Sequence, residues 1–452
     1  MQGVTLTFAL IACLLVIALR PQYALAVFIT ALLWYPSFLA VSVGTIDILV
    51  GRFVVAVLLI RCIFDDGLRS KFVWSRLDTF VTISMAASIV PYFFTQDQPP
   101  MLVIESRGGY LMDTWCAYLA ARFVVTDRTR LVALMKCIAV VLVPLALLGV
   151  VECFTGWRPF AALWSYSPWF QGRGRFLLEG RWGLNRAVGP FSHAILFGGG
   201  FAMFLPLIYY LRHEKKQWRS LAYVLSGVAL LGALSSLSSG PWVTVLVVIF
   251  CLAMEGHKAW VKRIFLFGLF SCILIGIVSN RPVYHVIASA ANPLGGASWH
   301  RAKLIDLAIE HFPEWWRVGY GDRDPGWGAS LGMTWTDVTN EYILSGVRYG
   351  IVAVISLFAV LIQAFQGLAA VHRKLKHPVL KSLCWAFGSM LFAVAVTWMS
   401  VSFFGQLITL FYCCLGMIGS LSNPSFNWQV PRTIPVVKNH AARKVAAVNK
   451  TA

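Results

Sequence analysis

Residues 131–154 read LVALMKCIAVVLVPLALLGVVECF, a run in which only Lys136 and Glu152 are charged. A bilayer core takes roughly 20 apolar residues in a helix, so this stretch alone predicts a transmembrane span. Similar runs lie on either side of it. Upstream they cover residues 4–19, 23–43, 46–64, 77–94 and 109–125, and downstream 191–211, 220–237, 241–254, 264–279, 380–399 and 402–420. A thirteenth run, 340–370, is longer than one crossing needs and includes a helical extension. The fold class expected is therefore all-α, a polytopic transmembrane bundle of about 12–13 spans. Composition agrees, with 58% hydrophobic and 13% charged residues. A signal peptide would be one apolar stretch ahead of a polar chain, whereas here apolar runs recur from Val4 to Leu421, so no cleavage is expected.

The net charge of +19 is spread over short inter-helix segments and forms no single stripe, which favours membrane topology over nucleic-acid binding. Cysteines fall in or beside apolar spans, from Cys13 to Cys414, with no Cys-x-x-Cys, so neither a disulfide framework nor a zinc site is expected. Basic residues mark every second loop: Arg69, Lys71 and Arg76; Arg128 and Arg130; Arg212, Lys215, Lys216 and Arg219; Lys258, Lys262 and Arg263; Arg373, Lys374, Lys376 and Lys381. These loops are assigned to the cytoplasm, together with the tail carrying Arg432, Lys438, Arg443 and Lys444. Thirteen spans then leave the N-terminus outside, with Arg20 inside.

This orientation divides the chain into N-terminal transmembrane helices (1–279) with a first outer loop at 155–190, a large extracytoplasmic loop (280–339) containing short amphipathic helices, C-terminal transmembrane helices (340–421) and a basic cytoplasmic tail (422–452). The two outer loops carry Arg158, Arg173, Arg175, Arg181, Arg186, Arg281, Arg301, Arg317 and Arg323, but of lysines only Lys303. Such a preference for arginine suggests planar, bidentate recognition of an anion. The plainer reading pairs these arginines with Glu179, Asp306, Glu310, Glu314, Asp322 and Asp324.

Three motifs stand out. Arg186-Ala-Val-Gly189-Pro190-Phe191-Ser192-His193 enters a span; Ser192 can cap the following helix, whose N-terminus beside Arg186 would seat a phosphate. Alternatively, Arg186 snorkels to headgroups and His193 is interfacial. The second motif runs from Trp299-His300-Arg301 to Pro313, followed by Gly319-Tyr320-Gly321. Ile305, Ala308, Ile309 and Phe312 repeat at helical spacing opposite Lys303, Asp306 and Glu310, giving an amphipathic helix that lies on the membrane or roofs a cavity. The third, Asp337-Val-Thr339-Asn340-Glu341-Tyr342 through Arg348-Tyr-Gly350, opens a span. Asp337 and Glu341 share a helical face if the helix starts early, and boundary carboxylates are functional candidates or simple partners of the helix dipole.

In this order the motifs resemble those of the O-antigen ligase and O-antigen (exopolysaccharide) polymerase superfamily of bacterial inner-membrane proteins. The resemblance rests on Arg186, Gly189 and Phe191; on the serine-rich turn from Ser235 to Pro241; on Arg301, Pro313, Gly319 and Gly321; and on Asn340, Leu344 and Gly350. Thr339 stands where ligases of that superfamily carry a histidine implicated in catalysis, and Ser239-Gly240 lacks an arginine often found there. The Asn-x-Tyr…Arg-Tyr-Gly pattern is more similar to polymerase-type members.

The resemblance implies a membrane glycosyltransferase that moves a glycan from undecaprenyl pyrophosphate to an acceptor hydroxyl outside the cytoplasm, with no cofactor. Its implied partners are the lipid-linked glycan, the bilayer, a chain-length regulator and other export proteins, but no nucleic acid. Arg186 and Arg301 would clamp the leaving pyrophosphate, while Asp337 or Glu341 would act on the acceptor. Gly189, His193, Tyr320, Thr339, Asn340 and Arg348 would line the substrate site. Because a diphosphate has more acceptor oxygens than one guanidinium satisfies, the two outer loops are expected to close over one shared cavity. Trp299, Trp315, Trp316, Trp327 and Trp335 offer flat faces for sugar rings. Rival readings are a ligase, or a flippase using the mid-span charges Arg52, Asp113, Lys136 and Glu152.

Overall fold

In a computed structural model of the protein, residues 1–44, 46–95, 99–168, 180–290 and 298–428 are described; Arg173, Arg175, Glu179 and the basic tail lie outside them. The chain is about 74% helical. In chain order the helices are α1 (Gln2–Ala18), α2 (Pro21–Trp34), α3 (Val50–Phe64), α4 (Arg76–Ile89) and α5 (Pro100–Leu111), which runs through a π-helical turn (Met112–Cys116) into α6 (Ala117–Val124). There follow α7 (Arg128–Thr155), α8 (Ala194–Tyr210), α9 (Lys216–Ser235), α10 (Ser239–Ala253), α11 (Lys258–Val278), α12 (Val283–Ala290) and α13 (Ser298–Glu310). The last four are α14 (Glu341–Tyr349), α15 (Ile351–Lys374), α16 (Pro378–Thr397) and α17 (Gln406–Leu421).

Among the described residues, seven helical segments are long and apolar enough to cross a membrane: Arg76–Thr95, Arg128–Thr155, Ala194–His213, Lys216–Ser235, Ala259–Val278, Ile351–Lys374 and Pro378–Thr397. Helices α1, α2, α10 and α17 are apolar but shorter. Thirteen full-length spans were expected, and the difference has local causes. Runs 23–43 and 46–64 each give up one end to an antiparallel hairpin, β1 (Ala40–Val43) with β2 (Ile46–Leu49), because Pro36 follows the end of α2 and the β-branched residues beyond it pair as strands. Run 109–125 is the second part of a longer α5–α6 rod that already begins at Pro100. Run 340–370 breaks at Gly350, which takes φ +86 between α14 and α15.

Two buried arginines, Arg122 and the loop marker Arg128, hold the bundle together. Arg122 reaches Asp78 from Nε and Nη2 at 2.7 and 2.8 Å, and Tyr118 donates to the same carboxylate; both charged side chains are almost fully buried. Arg128, 1% exposed, pairs with Glu214 and Tyr210. Charges this deep in an apolar bundle persist only when paired.

The long loop has its own small core of Leu304, Leu307, Ala308, Trp315, Trp327, Leu331, Val338 and Val347. Helix α13 forms where expected but buries a different face. Leu304, Leu307 and Ala308 point inward, while Ile309 and Phe312 are exposed. Trp315 and Trp327 likewise fill this core, which removes them from the set of sugar platforms. The loop docks on the α14–α15 break through Tyr320 N–H to Val347 O (2.7 Å), Gly321 N–H to Arg348 O (3.0 Å) and Ile351 N–H to Trp316 O (2.8 Å).

Candidate functional site

A cavity of about 470 Å3 lies at the bundle end opposite the basic loops, where α2 turns into the hairpin, α3 and α17 begin, α5 passes into the π-helical turn, and α14 finishes. Among the charged side chains lining it are Arg52, Arg107, Arg348 and one carboxylate, Asp113. Ser106, Ser192, Tyr35, Tyr110, Tyr349 and Gln406 supply neutral polar groups.

Arg52, in the first turn of α3, grips Asp113 through Nη2–Oδ2 at 2.7 Å and Nε–Oδ2 at 3.2 Å. Asp113 sits in the π-helical turn, where one extra residue per turn re-aims a side chain within an otherwise α-helical rod. The approach requires Gly109: a Cβ there would stand 2.6 Å from the Arg52 guanidinium.

Arg107 is 8% exposed and meets neutral groups. Its guanidinium lies 3.7 Å from the centre of the Tyr92 ring, Nη1 donates to the Tyr349 hydroxyl (3.1 Å), and Nη2 donates to Ser106 Oγ (3.0 Å). Among the described residues its Nε has no hydrogen-bond partner. Tyr92 in turn donates to Asp322 in the long loop, and Arg348 Nε stands 4.0 Å from the same carboxylate. With three guanidiniums against one carboxylate among the described residues of its wall, the cavity carries an excess of positive charge.

Glu341 lies behind this wall. It shares a smaller enclosed space with Ser84, Ser88, Ser345 and Tyr412, and Tyr110 and Ile408 border both cavities. Its Oε2 accepts the Phe403 N–H at 2.8 Å. Removal from water pushes its carboxyl up to about 7, against the lowering effects of that hydrogen bond and of Arg348 two helical turns on.

Arg348 is thus the one substrate-binding candidate from the sequence motifs that lines the main cavity. Arg186 is buried and donates from Nη2 to Ser238 Oγ (2.8 Å) in the serine-rich turn, while its carbonyl accepts from Arg158. Arg181 donates to Leu237 O at 3.1 Å. These outer-loop arginines therefore tie two loops together, since a planar fork can serve several carbonyl and hydroxyl acceptors at once. Of the loop carboxylates expected to pair with arginine, Asp306 is held by Tyr284 and His285, Glu314 by His311 and Tyr320, and Asp324 by Thr336, whereas Asp322 does lie near an arginine, Arg348.

The phosphate seat expected at Gly189 is filled by the protein itself. Glu152 Oε2 accepts the N–H groups of Val188 (2.8 Å) and Gly189 (3.0 Å), and Gly189 is needed for its φ of +54. Nor does Ser192 cap α8; His193 Nδ1 accepts the Ile195 N–H at 3.0 Å instead. Burial, and then the charges of Arg186 and Arg181, lower the His193 pKa to about 4, so that it is a neutral cap at physiological pH. Glu152→Ala is expected to strand two buried N–H groups and cost on the order of 3 kcal/mol, read as a lowered unfolding temperature in detergent, whereas Glu152→Gln keeps an acceptor and loses less.

Arg301 sits in the first turn of α13, with its Nε buried and unpartnered, beside His300 and away from the main cavity's wall. Neither Arg186 nor Arg301 lines that cavity, so the shared site expected from the two loops is not what encloses it. Asp337 is exposed and precedes α14, which begins at Glu341; the two carboxylates do not share a helical face. Asn340 caps α14, accepting from Tyr342 and Ile343 N–H and donating to Met399 O, and Thr339 Oγ1 is buried without a hydrogen-bond partner. Tyr320 donates to Glu314 and pins the loop.

Sequence reasoning missed Arg107. Starting the span at Gly109 left this arginine in a loop, although Pro100 at the first helical position was a readable start signal. Arg52 and Asp113 were noticed only as isolated mid-span charges, and their pairing across 61 residues is a tertiary fact. No protein-family model matches this sequence, and comparison with curated protein sequences gives no match either.

Proposed function

We propose that this chain polymerises oligosaccharide repeat units carried on undecaprenyl pyrophosphate, for O-antigen or exopolysaccharide, on the side of the bacterial inner membrane away from the cytoplasm. The observation that carries the reading is the cavity lined by Arg52, Arg107 and Arg348 at the end opposite the lysine-rich and arginine-rich loops. It complements the resemblance of the motifs to that superfamily. The diphosphate would sit among the three guanidiniums, which stabilise the charge that builds as the sugar–phosphate bond breaks. Glu341 would take the proton of the incoming hydroxyl, replacing the histidine for which this chain has Thr339.

The flippase alternative draws less support, because the charges that suggested it have local partners. Arg52 pairs with Asp113, Lys136 lies 3.9 Å from Glu214, and Glu152 holds backbone N–H groups. Deleting the gene decides among the readings. A polymerase leaves single lipid-linked repeat units on the outer leaflet, a flippase leaves them on the inner leaflet, and a ligase leaves full-length polymer unattached.

A pH dependence follows from Glu341. Since its folded pKa of about 7 exceeds the ordinary 4.5, the folded protein holds this proton more tightly than the unfolded chain. Stability from this group is therefore fully present below about 4.5, falls as pH rises towards 7, and levels off above. Activity should rise through the same region as the base becomes available. Glu341→Gln should flatten the stability profile between those values and remove the activity; a variant that keeps the wild-type pH–rate profile would rule out this base.

A further inference from the structure

A second cavity, about 500 Å3 and almost wholly apolar, runs between α1, α2 and α7. One stripe of α1 (Phe8, Ile11, Ala12, Leu15, Leu19) faces one stripe of α2 (Tyr23, Ala26, Val27, Thr30, Ala31), and Cys137 of α7 contributes to the lining. At 1.5 Å per residue the α1 stripe is about 17 Å long. Each helix offers a single stripe, and the small residues Ala12, Ala26 and Ala31 among the lining leave room for a hydrocarbon chain between them.

Its upper end meets the arginine cavity. Ala31 lines both spaces, and Phe8 of the groove packs against Tyr35 of the cavity with ring centres 4.8 Å apart and the rings tilted by 34°. Tyr35 is held in place by its hydroxyl bond to Thr5 Oγ1 at 2.8 Å. At the lower end, Arg61 donates to the carbonyls of Val16 and Leu19 and anchors the end of α1. An elongated apolar groove, joined at one end to a pocket rich in guanidinium groups, has the outline of an amphiphile with a long tail and an anionic head.

We propose that this groove holds the hydrocarbon tail of a polyprenyl phosphate whose head lies among Arg52, Arg107 and Arg348. The inference rests on the function proposed above, and it names the path taken by the carrier lipid. A two-chain phospholipid is the competing occupant in the test.

The full chain, purified and reconstituted in phosphatidylcholine vesicles containing undecaprenyl phosphate, is photo-crosslinked from a benzophenone side chain placed at Leu15, inside the groove, or at Leu14, the more exposed neighbour outside it. Capture of undecaprenyl phosphate is expected from position 15 and not from position 14, with phosphatidylcholine captured at both. Leu15→Trp should weaken undecaprenyl phosphate binding about tenfold by filling the groove, while Leu14→Trp leaves it unchanged. Equal capture at the two positions, or equal affinity of the two tryptophan variants, would overturn the proposal and make the groove ordinary lipid-facing surface. The probe carries no glycan, so the outcomes separate. Selective capture in a chain whose deletion leaves polymer intact keeps the groove and discards the polymerase; loss of polymer without selective capture does the reverse.

Discussion

Under the function proposed above, replacing Arg107 by lysine is expected to reduce polymer formation by roughly a hundredfold or more, the scale seen when one preorganised donor to a developing anion is removed. Arg107 is the cavity's guanidinium that meets neutral groups: the Tyr92 ring face and the hydroxyls of Tyr349 and Ser106. A lysine ammonium cannot both lie flat against Tyr92 and direct paired N–H groups at an anion. Arg348→Lys should follow with a smaller loss, because Arg348 is half exposed and already lies near Asp322. Arg186→Lys and Arg301→Lys provide the contrast. Neither residue lines the cavity, so each should lower thermal stability more than polymer yield from the folded protein. Polymer length and yield, measured at matched protein levels, decide the matter. If Arg186→Lys and Arg301→Lys abolish synthesis while Arg107→Lys and Arg348→Lys spare it, the anion site belongs to the outer loops and not to this cavity.

The largest effect on stability is expected at Asp78 and Arg122. Each is almost fully buried, so Arg122→Ala leaves a carboxylate in an apolar bundle with Tyr118 and Ser75 as its remaining side-chain partners. The cost of breaking such a pair is about 3–5 kcal/mol. Asp78→Asn should also be costly, since it strands the Arg122 charge with Val73 O and one amide oxygen as its acceptors. Replacing both partners together, Asp78→Leu with Arg122→Met, should recover much of the loss, because the expense lies in the stranded charge. Unfolding midpoints of the four proteins in one detergent test this. A double variant as unstable as Arg122→Ala would show that the pair supplies geometry and not merely mutual neutralisation.

How much of this was legible beforehand depends on the range of the interaction involved. Apolar runs and the α13 helix are local patterns, and helices formed wherever those patterns were strong. The run at 131–154 became α7 almost end for end. Boundaries failed where a competing local preference intervened: Pro36 and the β-branched residues beyond it turned apolar sequence into a hairpin, and Pro100 started a helix nine residues before the span was read to begin at Gly109. Arginine-rich outer loops were read as anion binders because residue type carries no information about which acceptor is near. Carbonyls and hydroxyls of the serine-rich turn proved to be the neighbours of Arg181 and Arg186, a relation spanning more than fifty residues.

Helical class, apolar segments of membrane length and the two-sided distribution of charge were determined by the sequence itself, since each is a property of a continuous stretch and of the solvent it must face. Only the tertiary structure decided which charges face a cavity. Arg52, Arg107 and Arg348 come from three helices, and no local spacing brings them together. The Glu152 carboxylate could be recognised as the occupant of the Gly189 backbone seat only once α7 and the loop had packed. Electrostatic sites in a bundle depend on distances between helices, and those are set by the packing of side chains far apart in the chain.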